Sequence, residues 1–372
     1  MKINMTRHMK VRIYRTVAWV LLVILLLALA GLAFFAGMQI SGKNRLDRFQ
    51  EGDGPLLNLA GAAGRLEIPE EGILSETAAE ADEDWQEGDV RYQGVHYRYN
   101  EDILTFLFLG IDKESEVKPV ENGLDGGQSD AIFLLVLEPH AKEIFVISIP
   151  RDTMTDIDAY DKDGYFVATV KAQLTLQHGY GDGAELSCER TKRAVARLFY
   201  ELPIHGYCAV NMGAVPLLND AVGGVELVAI EDVIYTDIKE GDRILLKGEE
   251  AYNYLHNRDT ENMGGAGRRL ERQKQYLTAY AAVAMEKLKT DITLPVTLYN
   301  TLSKYMVTDI SLDEVSYLAV QVLGYHFDEN NLYSLEGENV MGEQYEEFHV
   351  DETALYELIL KIFYEPVLGR EA

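Results

Sequence analysis

At 372 residues the chain can bury one large core or two smaller ones. Its formal net charge of −27 excludes a binder of phosphate backbones: no basic stripe interrupts the acid, so nucleic acid is not a partner. The two cysteines, Cys188 and Cys208, carry no spacing signature; they form either one bridge or two small buried side chains that never meet.

Residues 1–16 hold Lys2, Arg7, Lys10, Arg12 and Arg15 with no acid, a basic tail. Val17 to Met38 follows as an uncharged apolar run of 22 residues, long enough to cross a bilayer as one helix. The basic flank puts the N-terminus in the cytoplasm and the bulk of the chain outside. Trp19 and Phe34-Phe35 stand where interfacial aromatics belong. Ala28-Leu29-Ala30 also resembles a signal-peptide cleavage site. The apolar run continues well beyond it, which favours a retained single-pass anchor over residues 17–40. Residues 41–100 show no sustained periodicity. From Glu67 to Asp89 acids recur with no Lys or Arg between them, so self-repulsion and scarce apolar surface predict an extended acidic extracytoplasmic stalk.

The folded part begins near residue 101. Strands are predicted at 103–111, 131–138 and 143–149, a helix at 186–200, and strands at 206–210 and 224–229 around a helix at 212–222. Helices follow at 248–255 and 267–288. Alternating strands and helices imply an α/β domain, a layered mixed sheet flanked by helices, over residues 101–288. Residues 289–372, with helical periodicity at 311–323 and 351–364 and a short strand near 331–335, read as a C-terminal α/β extension packed on that domain.

Three apolar runs meet charge at their ends. Phe106 to Ile111 leads into Asp112, Ser129-Asp130 opens the run from Ala131 to Leu137, and Ile144 to Ile149 leads into Pro150-Arg151-Asp152. Strand ends hold side chains rigidly, and carboxylates with an arginine at a sheet rim suit a metal ion and a phosphate. Downstream, Arg258 closes the segment Tyr254–Arg258, and Arg269, Arg272 and Gln273 share one helix face at i, i+3 and i+4. The loop from Met263 to Gly267 is one that could close over substrate. A lone arginine usually pairs with a surface acid. Arg151, Arg258, Arg269 and Arg272 together, in so acidic a chain, favour an anion site.

These motifs resemble those of the LytR-CpsA-Psr family of cell-wall enzymes. The family's L-G-x-D, Ser-Asp and S-x-x-R-D elements correspond to Leu109–Asp112, Ser129-Asp130 and Ser148–Asp152. In the same order come Lys171 to Gly181, Leu202 to Tyr207, Asp220 to Val225, Leu246 through Arg258, and Arg269 to Gln273. The order holds over roughly residues 103–285. The resemblance implies a membrane-anchored phosphotransferase outside the cell. Its donor would be a polyprenyl pyrophosphate-linked glycopolymer, such as teichoic acid or capsule, and its acceptor a peptidoglycan hydroxyl. It implies Mg2+, or Mn2+ in its place, on Asp112 and Asp130. Arg151, Arg258 and Arg269 would clamp pyrophosphate, with Arg272, Gln273 and Lys171 as further substrate contacts. Asp130 would accept the incoming proton, Asp152 would orient Arg151, and an apolar pocket in the sheet–helix sandwich would take the lipid. Two alternatives stand beside it: a polyprenyl pyrophosphate hydrolase, and a non-catalytic envelope regulator or lipid-binding protein. The chain departs from the pattern at His256, Gln173 and Ala266, which bears on substrate preference rather than on the metal or central arginine positions.

Overall fold

The computed structural model describes residues 35–47, 59, 73–74, 85–120, 126–258, 265–343 and 345–367. Its centre is a six-stranded mixed sheet built on β4 (Leu104–Ile111), β5 (Ser129–Glu138), β6 (Glu143–Ser148) and β9 (Gly206–Asn211). β5 runs antiparallel to both β4 and β6, while β4 and β9 run parallel. Two strands from beyond residue 289, β12 (Met306–Thr308) and β13 (Leu332–Ser334), form the sheet's two edges, pairing with β9 and β6. The expected boundary at 288/289 therefore divides one sheet, and the C-terminal segment is part of the domain rather than an addition to it.

Alternation along the strands sends side chains to two faces. Leu107, Leu109, Ile132, Leu134 and Ile147 enter the main core, with the helices Glu185–Leu198 and Glu352–Phe363 packed over it. Phe106, Leu135 and Leu137 face the other way, where Val315, Leu318 and Val322 of the helix Leu312–Val322 cover them. The two cysteines follow the same alternation. Cys188 lies in the main core and Cys208 against the opposite apolar cluster, and both are free thiols. A second, smaller core joins the strands β10 (Val225–Val228) and β11 (Arg243–Leu246) to the helices Val215–Ala221, Glu249–His256 and Gly265–Thr290, around Val225, Leu246, Tyr254 and Tyr276.

The region read as a stalk is partly built into the domain. Residues 35–47 are helical, and Gln39 and Ser41 bond Ser316 O at 2.9 Å and Asp313 Oδ2 at 2.5 Å, while Leu46 is buried. A side chain at Gly42 would overlap the Asp313 carbonyl, so close approach of the two helices requires glycine there. Residues 90–99 form a hairpin, β2 (Val90–Tyr92) and β3 (Val95–Tyr99), joined by the C-terminal β16 (Tyr364–Pro366). Asp89, read as a solvated acid, is buried at the hairpin's foot and bonds His96 at 2.7 Å and Arg98 at 2.8 Å. Burial pushes its carboxyl up, but bonds from Arg98, the Gln86 N–H and His96 outweigh that and hold it below the usual range. The rest of the predicted stalk falls largely outside the described residues, as do residues 17–34 of the predicted anchor. No helix among the described residues is long and apolar enough to cross a membrane.

Two exposed hairpins give little sequence signal: β7 (Met154–Tyr160) with β8 (Phe166–Gln173), and β14 (Gly337–Met341) with β15 (Glu346–Val350). Their solvent faces carry Phe166, Val167 and Met341, which blurs the polar alternation that marks a strand in sequence.

Candidate active site

The rim of the sheet is shaped by an irregularity at Asp130. Gly110 pairs with Ala131 and Ile111 with Ser129, so Asp130 is the extra residue of a β-bulge. A bulge breaks the alternation and re-aims a side chain, and Ser129, Asp130 and Ala131 are buried in succession. On the neighbouring strand the chain leaves β6 through Pro150. The turn that presents Arg151 and Asp152 is fixed by Thr153, whose N–H and hydroxyl both donate to the Pro150 carbonyl, at 3.1 and 2.6 Å.

Asp130 is the hub. Its Oδ1 accepts from Arg151 Nη1 and its Oδ2 from Arg269 Nη1 at 2.8 Å. Arg269 reaches it from the long helix Gly265–Thr290 and is 3% exposed. Arg151 is held on two further sides: its Nε lies 3.3 Å from Asp152 Oδ1, and its Nη2 donates to Gln128 Oε1 at 2.8 Å. The Gln128 backbone N–H in turn donates to Asp112 Oδ1 at 2.6 Å. Asp152 accepts from Gln173 Nε2 at 3.2 Å, and that amide also donates to Glu346 O at 2.7 Å. A cleft of ≈170 Å³ opens here, walled by Asp130, Arg151, Asp152, Arg269, Gln273 and Phe348. It is smaller than a drug-sized pocket and suits a phosphate-sized group rather than a lipid or a glycan.

The cleft is electrostatically loaded. Burial lowers the pKa of Arg151, and the charges of Arg269 and Arg258 lower it further against the opposing pull of Asp152. Burial and then Arg258 push Arg269 down to about 10, although Asp152 and Asp112 act the other way. Burial raises Asp152 despite Arg151 and Arg258. Arg258 acts on both clamped guanidiniums through its charge but lines a separate cleft with Glu231, Asn257 and Arg272, and among the described residues it has no hydrogen bond or ion pair. Positive charge crowded and desolvated in this way is what an arriving anion relieves.

Other singled-out residues lie elsewhere. Arg272, 2% exposed, spends its guanidinium on the carbonyls of Tyr254 and Asn257 and lies 2.8 Å from Glu231. It fastens the segment that carries Arg258 and offers nothing to the cleft. Gln273 lines the cleft, but its Nε2 donates to Leu255 O at 3.4 Å and its buried Oε1 has no partner among the described residues. Lys171 is exposed on β8, 3.5 Å from Asp156, and lines a different groove with Arg197 and Tyr200. It is not part of the cleft. His256 stacks on Tyr252 at 4.9 Å. The side chain of Ala266 and the loop at 259–264 lie outside the described residues. Two cleft residues were not legible as such. Gln128, beside the Ser-Asp pair, bridges Asp112 and Arg151, and Gln173 braces Asp152.

At the rim Asp112 keeps Oδ2 without a hydrogen-bond donor among the described residues, whereas both Asp130 oxygens accept from arginines, so Asp112 is the carboxylate open to a hard cation such as Mg2+. One or two carboxylates with the remaining positions left to water and phosphate is the usual Mg2+ arrangement.

Residues 72–361 match the LytR_cpsA_psr family. The polyisoprenyl-teichoic acid–peptidoglycan teichoic acid transferase TagU of Halalkalibacterium halodurans is 27% identical over 217 residues, which is 57% of this chain and 63% of that protein. The TagU of Oceanobacillus iheyensis is 27% identical over 261 residues, 68% of this chain and 73% of the relative. The chain thus spans less than two thirds of the first relative's length. The crystal structure of TagV from B. subtilis superposes with a TM-score of 0.52 at 21% identity, covering 70% of this chain and 96% of that one, a likeness of fold.

Proposed function

Because the chain belongs to the LytR-CpsA-Psr family, we propose that it transfers a phospho-glycopolymer from a polyprenyl pyrophosphate to a peptidoglycan hydroxyl at the outer face of a cell membrane. The observation that carries the reading is the crowding of two buried guanidiniums on one carboxylate, with a third arginine's charge acting on both. The acceptor and the teichoic acid class of donor follow the relatives' names; the pyrophosphate follows the cleft's charge and size.

In this reading the acceptor oxygen attacks the phosphorus that carries the polymer. The bridging P–O bond breaks, and polyprenyl monophosphate leaves. Arg151, Arg269 and Arg258 bind pyrophosphate oxygens and neutralise charge gathering on the leaving phosphate, a contribution of about 10²–10³-fold for each such donor. Asp130 holds two of those arginines in register and, once they turn to substrate, is placed to take the acceptor's proton. Asp152, braced by Gln173, keeps the Arg151 fork aimed into the cleft. Asp112 and Asp130 would hold Mg2+, which supplies charge neutralisation at the pyrophosphate when bound. The lipid tail would lie along the second apolar core, where Ala279, Val283 and Ala284 of the long helix are only partly covered.

In this reading the anchor expected over residues 17–40 ends where the helix at 35–47 docks on the domain through Gln39, Ser41 and Arg45. The proposal therefore places the domain against the bilayer, close to its lipid substrate, rather than on a long tether. The test is reconstitution of the full chain in vesicles with Mg2+, a polyprenyl pyrophosphate-linked glycan and peptidoglycan. Glycan joined to peptidoglycan with release of polyprenyl phosphate supports transfer. Free glycan phosphate alone would convert the reading to the hydrolase, and an intact donor would reduce it to binding.

A further inference from the structure

Far from the arginine cleft, three strand-linked segments bring nitrogen and oxygen donors together. Glu138 ends β5, His140 lies in the turn to β6, and Glu365 sits on β16. Glu138 Oε1, the His140 ring and Glu365 Oε1 fall within one small group, all mutually inside 4.8 Å. His140 Nδ1 is 3.4 Å from Glu365 Oε1 and 3.8 Å from Glu138 Oε1. Its other nitrogen, Nε2, is 2.9 Å from Asp102 Oδ2.

The hydrogen bonds around this group are those of a held donor set. The contact with Asp102 orients the ring through Nε2, as carboxylates do for metal-binding histidines. Nδ1 faces two carboxylate oxygens, an arrangement that either a proton on Nδ1 or a cation between the groups satisfies. A proton on Nδ1 would call for one short charge-assisted bond of about 2.7–2.9 Å. Instead the ring stands off two oxygens at 3.4 and 3.8 Å. Ligands about 2.0–2.1 Å from a tetrahedral ion are about 3.3 Å apart, and these spacings approach that edge length. Asn100 Nδ2 donates to both ligand oxygens, to Glu365 at 2.9 Å and Glu138 at 3.2 Å, and gathers the two like charges. Glu138 is further pinned by the backbone N–H groups of His140, at 2.9 Å, and Ala141. A cleft of ≈440 Å³ lined by Glu87, Asp89, Glu101 and Asp102 as well as His140 and Glu365 gives a hydrated cation its way in. The Arg98 there is committed to Asp89.

We propose that Glu138, His140 and Glu365 form a site for a divalent ion of the Zn2+ class, with Asp102 and Asn100 orienting the ligands and water completing the shell. One nitrogen with two carboxylate oxygens suits Zn2+, whereas Ca2+ and Mg2+ favour all-oxygen sets. Bound there, the ion ties β16, and with it the helix Glu352–Phe363 that covers the main core, to the turn between β5 and β6. The site stands apart from the transferase reading and does not depend on it.

The test is metal titration of the untagged full chain in detergent after chelation, read by calorimetry, by thermal unfolding and by the visible spectrum of Co2+ as a substitute. One equivalent of Zn2+ should bind and raise Tm, and Co2+ should give the intense visible bands of a tetrahedral site. Mg2+ or Ca2+ at equal concentration should do neither. His140→Ala, an exposed position, and Glu365→Gln should each lose the equivalent and the Tm shift while their metal-free Tm stays near that of the parent. Zn2+ bound undiminished in both variants, or no Tm response in the parent, would overturn the site.

Discussion

Two aspartates of this domain sit at the centre of arginine contacts, and their surroundings are opposites. Asp158 meets a single arginine: Arg197 donates through Nη1 at 2.9 Å and through Nη2 to the second oxygen, and Thr169 adds a bond at 2.8 Å. Each partner favours the other's charge, so Asp158 is held below its usual range by Arg197, and Arg197 is raised by Asp158. In the cleft, Asp130 must serve Arg151 and Arg269 together, with Arg258 nearby, and both clamped arginines shift downward, chiefly through burial. A closed pair stabilises its own charges. An open cluster, in which two desolvated guanidiniums crowd one carboxylate, is one that an arriving anion would relieve. Arg272 also shifts downward while held by backbone carbonyls and Glu231, so it is the crowding of two guanidiniums on one carboxylate, and not the sign of the shift alone, that marks the cleft.

The comparison breaks most decisively at the cleft. Arg151→Ala or Arg269→Ala should lower turnover of the lipid-linked donor by about 10²-fold or more, while Tm holds or rises because repulsion is relieved. Lys at either position should recover only part, since an ammonium lacks the planar fork. A collapse of Tm in step with activity would place these arginines with the structural pairs. At the other aspartate the pattern should invert. Arg197→Ala leaves the carboxylate of Asp158 buried with only the Thr169 hydroxyl bonded to it, and denaturant titration should show a loss of about 3 kcal/mol with turnover per folded molecule intact.

Burial as the largest cause gives a third case. His205, whose Nδ1 accepts from the Thr105 N–H at 3.0 Å, is pushed by burial down to about 4. The unfolded chain takes up this proton near 6.5, so the contribution is full above that pH and is lost as pH falls from 6.5 toward 4. The loss amounts to at most roughly 3 kcal/mol. Urea midpoints measured across that range should fall in the parent and flatten in His205→Gln. The smallest effect belongs to Lys171. Its pair with Asp156 is exposed, so Lys171→Ala should change stability by less than about 0.5 kcal/mol and leave turnover within about twofold; a large loss of turnover would return it to the substrate path.

Much of this molecule follows from local pattern. The central strands, the helix Glu185–Leu198 and the long helix Gly265–Thr290 show in sequence as apolar runs and helical spacing, because their buried faces demand it. The motif residues Asp112, Asp130, Arg151, Arg258 and Arg269 also stand out, since charge at the end of a buried run has to be held by something. Elements of two to five residues, such as β2, β12 and β14, leave too short a period to read, although the short strand near 331–335 is legible. Asp89 looked like one acid among many in a solvated run, and only the return of His96 and Arg98 across a hairpin buries it.

By itself, then, the sequence determined the α/β layering and which charged residues interrupt apolar runs, because both are set by neighbours along the chain. Tertiary structure alone decided what those charges do. The bulge that turns Asp130 into the cleft exists only through pairing of β5 with β4. Arg272 and Arg269 share a helix face, yet the carbonyls of Tyr254 and Asn257 claim one and Asp130 claims the other. A guanidinium's role depends on which acceptors the rest of the fold brings within about 3 Å, and that is not written in the spacing of the arginines.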